Sequence, residues 1–218
     1  PSYTPTELLE LHDSFDELIL RSGKSRLEVL RSLSETLKSF FGSHYVEFLA
    51  LRGDELVYEY VTAPEWALKL IHQMTGITAV IGMSIPLFEG SSFKEFVEQA
   101  KPRELISPED RLRSLRDFVP PNSPKNIRMR KYYAKPIMKI VGYRYVFQVP
   151  LVVGERFTGY FSFLQNRRFA ERVRADLVLL SNRIAQLIHF KTREDERRLV
   201  EHDGVITLSV IRRGREPS

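Results

Sequence analysis

Two hydrophobic periods alternate along this chain. Residues 6–20 place Leu8, Leu11, Phe15 and Leu18 at 3-4-3 spacing, the stripe of an amphipathic helix with a heptad-like seam. Thr6 is its expected N-cap. The run 21–24 breaks the pattern and Ser25 is placed to cap a second helix. Leu27, Leu30, Leu33, Leu37, Phe40 and Phe41 give that helix a broad apolar face, and Gly42 ends it. From Tyr45 the period becomes two, with Tyr45, Glu47, Leu49 and Leu51 alternating with Val46, Phe48 and Ala50. Alternation resumes at 55–61 after the turn Arg52-Gly53-Asp54, which predicts an antiparallel hairpin.

The middle of the chain is more broken. Residues 63–75 read as a helix containing Trp66, with Gly76 as its C-cap. A short strand at 85–87, a helix at 93–99 stopped by Pro102, and a brief strand at 104–106 follow. Ser107-Pro108-Glu109-Asp110 opens another helix, with the cap, the first-position proline and the acidic first turn that helix starts favour. Pro120, Pro121 and Pro124 punctuate a loop. Residues 143–151 form the strongest strand pattern, 152–156 turn it, and 157–164 return. Phe169, Val173, Leu177, Leu180, Ile184 and Leu187 then mark the longest helix. Beyond Phe190 the apolar face disappears while helix formers continue, so the helix is expected to leave the core. The run 204–211 is rich in β-branched residues and reads as an edge strand or the start of a further domain.

Composition narrows the function classes. The 218 residues are ordinary for a globular domain, with 43% hydrophobic and 28% charged. No cysteine is present, which excludes disulfides, thiolate catalysis, thiol-attached cofactors and cysteine zinc sites. No apolar run is long enough to span a bilayer, and the start lacks a signal peptide, so a cytoplasmic location is expected. The chain begins at Pro1 rather than Met and is expected to be a piece of a longer protein. Net charge is a mild +5, but residues 111–144 carry ten basic residues against a single acid, Asp117. Such a run concentrates anions. It equally describes a solvated face, and no nucleic-acid-reading motif accompanies it.

The order of elements predicts an α+β fold, a central and mostly antiparallel sheet of about six strands with helices on both faces. Its closing part resembles a GAF domain, the small-molecule sensor module of signalling proteins. The resemblance lies in Val149-Pro150-Leu151, the turn at Gly154, Gly159 in the returning strand and the helix over 170–188. Gly82-Met83-Ser84-Ile85-Pro86, Gly90, Pro102 and Ile106 resemble the middle of that family. PAS-like domains share the plan and are the near alternative. The resemblance spans about 25–190, which implies an N-terminal helix over 1–24 and a charged helix and tail over 191–218 leading to an output domain, linked or separate. It also implies a pocket between one sheet face and the crossing helices and loops. The first and last helices would pack together on the other face and mediate a homodimer. Leu8, Leu11, Phe15, Leu18, Leu180, Ile184 and Leu187 are the candidate dimer or signalling positions. Without cysteine a bilin cannot be attached, and the Asn-Lys, Phe and Asp-Glu pattern of cyclic-nucleotide-binding members is missing, so no cofactor or ligand class is indicated.

Chemistry-bearing motifs are few. His12, His44, His72, His189 and His202 lack metal-ligand spacing, so no metal site is expected. The glycines at 154 and 159 lack the Lys-Ser/Thr of a phosphate loop. Nothing argues for an enzyme. The candidate pocket residues are Trp66, His72, Phe88, Arg128, Arg130, Lys131, Tyr133, Tyr145 and Phe147, aromatic walls with basic groups that would suit an anionic small molecule. The sequence reading is thus a non-catalytic sensing domain that couples pocket occupancy to its terminal helices. The alternatives are a non-sensing dimerisation or docking scaffold, and a nucleic-acid or acidic-partner binder using 111–144. Nucleic acid and membrane are not the expected partners.

Overall fold

The computed structural model describes residues 3–21, 23–66, 68–69, 81–117 and 143–213. Its first helix, α1 (Pro5–Asp16), is capped by Thr4 rather than Thr6. Pro5 takes the first position, where a missing N–H leaves nothing unpaired, and Glu7 closes a capping box with Thr4. A single π-helical turn, Glu17–Arg21, follows. Helix α2 (Arg26–Phe41) starts at a second capping box, Ser25 with Glu28, and ends at Gly42, whose φ of 66° is left-handed.

Six strands make one antiparallel sheet: β1 (Tyr45–Arg52), β2 (Glu55–Val61), β3 (Ser84–Pro86), β4 (Arg103–Leu105), β5 (Tyr145–Val153) and β6 (Arg156–Gln165), in the order β3-β2-β1-β6-β5-β4. Two hairpins, β1–β2 and β5–β6, lie side by side at its centre. Helix α3 (Ser92–Gln99) connects β3 to β4, and α4 (Pro108–Arg116) follows β4 with Ser107 as its cap. Helix α5 (Glu171–Arg213) closes the chain. The expected class, α+β with helices on both sheet faces, is the one the chain adopts.

The two sheet faces hold separate cores. On one, Val46, Phe48, Ala50, Tyr145, Phe147, Val149, Phe161 and Phe163 pack against Leu11, Phe15, Leu30, Leu33, Leu177, Leu180 and Ile184 of the helices. Here α1 meets α5: Tyr3 donates to the Asp176 carboxylate at 2.6 Å and Arg183 Nε to Asp16 at 3.2 Å. On the other face, Leu49, Leu56, Tyr58, Ile85, Phe157 and Tyr160 pack against Phe93 and Phe96 of α3. A bulge between Phe48 and Leu49 in the pairing with β2 lets Tyr58 face α3 while Tyr60, two residues on, joins the helix-side core.

The tail departs from the expected strand. Residues 204–211 continue α5 rather than forming a strand. The β-branched run extends a helix already propagating from Glu171, and β propensity depends on a sheet environment to pack against. The heptad-like stripe serves this chain itself. Leu11, Phe15, Leu180, Ile184 and Leu187 are buried in the helix-side core, and Leu8 and Leu18 pack against it. Of the helix expected over 63–75, Glu65, Trp66, Leu68 and Lys69 are helical; Gly76 and the loop over 120–139 lie outside the described residues.

Candidate ligand-facing sheet surface

A polar row crosses the sheet on the α3 side. Glu47 of β1 is opposite Ser162 of β6, Ser162 is opposite Gln148 of β5, and Gln148 is opposite Arg103 of β4. Residues directly paired across neighbouring strands share a face. Strands lie about 4.8 Å apart, so the Cα atoms of Glu47 and Arg103 are about 14 Å from one another. Above and below the row the same face is apolar or aromatic.

Arg103 is held in place. Its Nε donates to Gln148 Oε1 at 2.5 Å and its Nη1 donates to the Ser92 carbonyl. The guanidinium carbon lies 4.4 Å from the Phe96 ring centroid and 5.6 Å from that of Phe93, within cation–π range. Burial works against its charge, and its Nη2 is buried without a hydrogen-bond partner among the described residues. Helix α3 is fixed in turn by Asp117, whose buried carboxylate accepts from the Ser92 amide at 2.7 Å, and by an ion pair of Arg113 with Glu95. Phe96 meets Phe157 and Tyr160 edge-on at 5.8 and 5.2 Å.

At the other end of the row, Glu47 is half-buried with no arginine, lysine or histidine paired to it among the described residues. Burial pushes its carboxyl up from the ordinary 4.5 to about 7, and the Ser162 hydroxyl offsets part of that. Tyr58, Tyr143 and Tyr160 surround it closely enough to feel its charge. Burial first, and Glu47 next, push all three phenols upward.

Strand β4 reaches both faces. Next to Arg103, Glu104 faces the terminal helices. It accepts from Arg168 Nε at 2.6 Å and Nη2 at 2.9 Å and pairs with Arg174 of α5. The hydrogen bond from Arg168, more than the charge of Arg174, holds its carboxyl below the usual range. Glu104 also lines an open cleft of about 400 Å³ with Pro102, Phe147, Glu171, Arg174, Ala175 and Val178.

The candidate pocket residues fall in three groups. Tyr145 and Phe147 are buried on the helix-side face, packed around Phe169, and so lie on the opposite side of the sheet from Glu47. Trp66 is 56% exposed, and Phe88 is half-buried before α3. His72, Arg128, Arg130, Lys131 and Tyr133 lie outside the described residues. Of the basic run, Arg111 is buried and donates to the Arg144 carbonyl, and Arg113 is paired with Glu95. The row itself was not picked out from the sequence. Its signal was a charged or amide residue, Glu47 or Gln148, inside an otherwise apolar strand.

A curled antiparallel sheet with terminal helices on one face and short connecting helices on the other defines the class. No family model matches the sequence, and no curated protein matches it. Solved structures do. The GAF domain of a phosphoenolpyruvate-protein phosphotransferase from Coxiella burnetii is 13% identical, over 89% of this chain and 99% of that one, with a TM-score of 0.58. The phycocyanobilin-bound GAF domain of a cyanobacterial phytochrome is 11% identical, over 89% and 98%, also at 0.58. The free methionine-R-sulfoxide reductase of Neisseria meningitidis, solved with its substrate, is 15% identical, over 89% and 95%, at 0.56. The chain has a GAF-like fold. No described helix is long and apolar enough to cross a membrane.

Proposed function

We propose that this chain is a non-catalytic regulatory domain of a signalling protein, and that it binds a small molecule on the sheet face carrying Glu47, Ser162, Gln148 and Arg103. The supporting observation is that row itself. Polar and charged side chains cross a sheet face otherwise packed with Leu49, Tyr58, Phe96 and Tyr160. A few placed polar groups in an apolar surround are the usual make-up of a small-molecule site. With no cysteine in the chain, thiol redox chemistry is not open to it.

Strand β4 supplies the coupling route. Arg103 joins the ligand-side face and α3, while its neighbour Glu104 grips Arg168 just before α5 and Arg174 in its first turn. A ligand that moves α3 therefore strains the contacts that seat α5. Coupling of this kind is worth about 1–3 kcal/mol in typical regulatory proteins. Output then passes along α1 and α5 to a partner copy or a further domain.

Native mass spectrometry of the purified chain, compared with its denatured mass, tests the reading. A releasable small mass is expected, or a metabolite that raises the melting temperature. Stabilisation by mass action reaches about 2.7 kcal/mol at a hundredfold excess over Kd. A bare chain that no member of a broad metabolite panel stabilises contradicts the reading and favours the docking scaffold.

A further inference from the structure

We propose that the ligand is a small organic cation, and that Glu47 is the group that receives its ammonium or amidinium, within the surround of Tyr58, Tyr143 and Tyr160. This rests on the ligand-binding reading above and names the chemistry of that same face.

The other buried or half-buried carboxylates among the described residues all have partners. Glu59 is paired with Arg26 and Arg52, Glu104 with Arg168 and Arg174, Asp16 with Arg183, and Asp176 with Arg172 and the Tyr3 hydroxyl. Asp117 accepts the Ser92 amide. Glu47 has the Ser162 hydroxyl beside it and no cation among the described residues. A carboxylate taken out of water without a counter-ion is costly unless a partner arrives.

The basic groups on this face do not fill that role. Arg103 lies three strands away and is tied to Gln148, the Ser92 carbonyl and two phenylalanine rings. Arg111 is tied to the Arg144 carbonyl. The surround instead suits an incoming cation. Strand register sets Tyr58 and Tyr160 on either side of Leu49, diagonal to Glu47 on the same face, and tyrosine rings attract ammonium groups. An anion placed there would face an unpaired carboxylate. The expectation of an anionic ligand rested on residues 125–139, which lie outside the described residues.

The site must ionise to work. The other titratable or charged groups on this face, among the described residues, include Tyr45 from β1, Tyr58 from β2, Tyr160 from β6, Tyr143 before β5, Arg103 from β4, Arg111 from α4, and Asp117 and Glu95 at the Arg103 end. Burial pushes Tyr58, Tyr143 and Tyr160 upward, and Glu47 is raised into the range between pH 5.5 and 8, so it is the group whose charge changes there. Cation binding therefore strengthens with pH and releases a proton near neutrality.

The test uses n-butylammonium chloride as probe, with n-butanol and sodium butyrate as matched controls, followed by backbone NMR of the full chain at pH 8 and 5.5. Butylammonium is expected to shift resonances of β1, β2 and β6 at pH 8. Its affinity follows the ionised fraction of Glu47, which falls about thirty-fold by pH 5.5 for a group titrating near 7. Glu47→Gln is expected to abolish the shift while keeping the native spectrum; if that variant does not fold, the pH series on the unmodified chain decides. Equal responses to butylammonium and butanol, pH-independent binding, or retention in Glu47→Gln overturns the proposal. A purified chain retaining a neutral or anionic molecule also overturns it, while leaving the ligand-binding reading intact.

Discussion

Replacing Glu47 by Gln isolates the one strand carboxylate that burial holds above its ordinary range among the described residues. In the unfolded chain this carboxyl loses its proton near 4.5; in the folded chain it keeps it to about 7. Between those values the folded state holds a proton that the unfolded state has lost, so stability falls as pH rises through the window. Above pH 7 both states are ionised and the penalty is constant. At about 1.4 kcal/mol for each tenfold change, the full penalty is about 3 kcal/mol. Water reaching the half-buried carboxylate lowers it towards about 1 kcal/mol. Gln resembles the protonated acid, so Glu47→Gln should match the unmodified chain at pH 4.5 and exceed it in stability by about 1–3 kcal/mol at pH 8. Urea unfolding at both pH values measures the difference, which cancels the opposite trend from carboxylates such as Glu104. Equal stabilities at pH 8, or a variant less stable there than at pH 4.5 relative to the parent, would refute the reasoning.

Three further outcomes follow from the packing. A Cβ on Gly159 would meet the Leu49 carbonyl oxygen at 2.3 Å and Ala50 Cα at 3.1 Å, backbone atoms of the paired strand. Gly159→Ala should therefore cost about 2–3 kcal/mol by denaturant unfolding, the upper range for overpacking; a loss below about 0.5 kcal/mol would show that β1 and β6 can part. Phe15→Ala should lower stability by about 3–5 kcal/mol at every protein concentration, because this ring is fully buried within its own chain; a loss that vanished at high concentration would return the α1 stripe to a dimer seam. Glu104→Gln should destabilise the chain at pH 7, and by progressively less as the pH falls below the ordinary carboxylate value. A depressed carboxyl stabilises above its unfolded value and stops doing so as pH falls through its folded one.

Much of the fold was legible because its signals are local. Ser25, Gly42, the Gly53-Asp54 turn, Ser107-Pro108 and the 154–155 turn each act through their own backbone, and each marks the boundary where it was read. The site was less legible. Residues 145–150 are buried on both faces, so alternation could not say that Tyr145 and Phe147 face the helices while Gln148 faces α3. The row from Glu47 to Arg103 joins residues far apart in the chain, and strand register alone brings them level. The stripe of α1 has the same spacing whether it meets its own sheet or another molecule, and only the folded core distinguishes them.

The most direct measurement is a carbon-13 NMR titration of the Glu47 side-chain carboxyl, without and with n-butylammonium. The account predicts a midpoint near 7 that moves downward as the cation binds. A midpoint near the ordinary 4.5, unmoved by the cation, would contradict it.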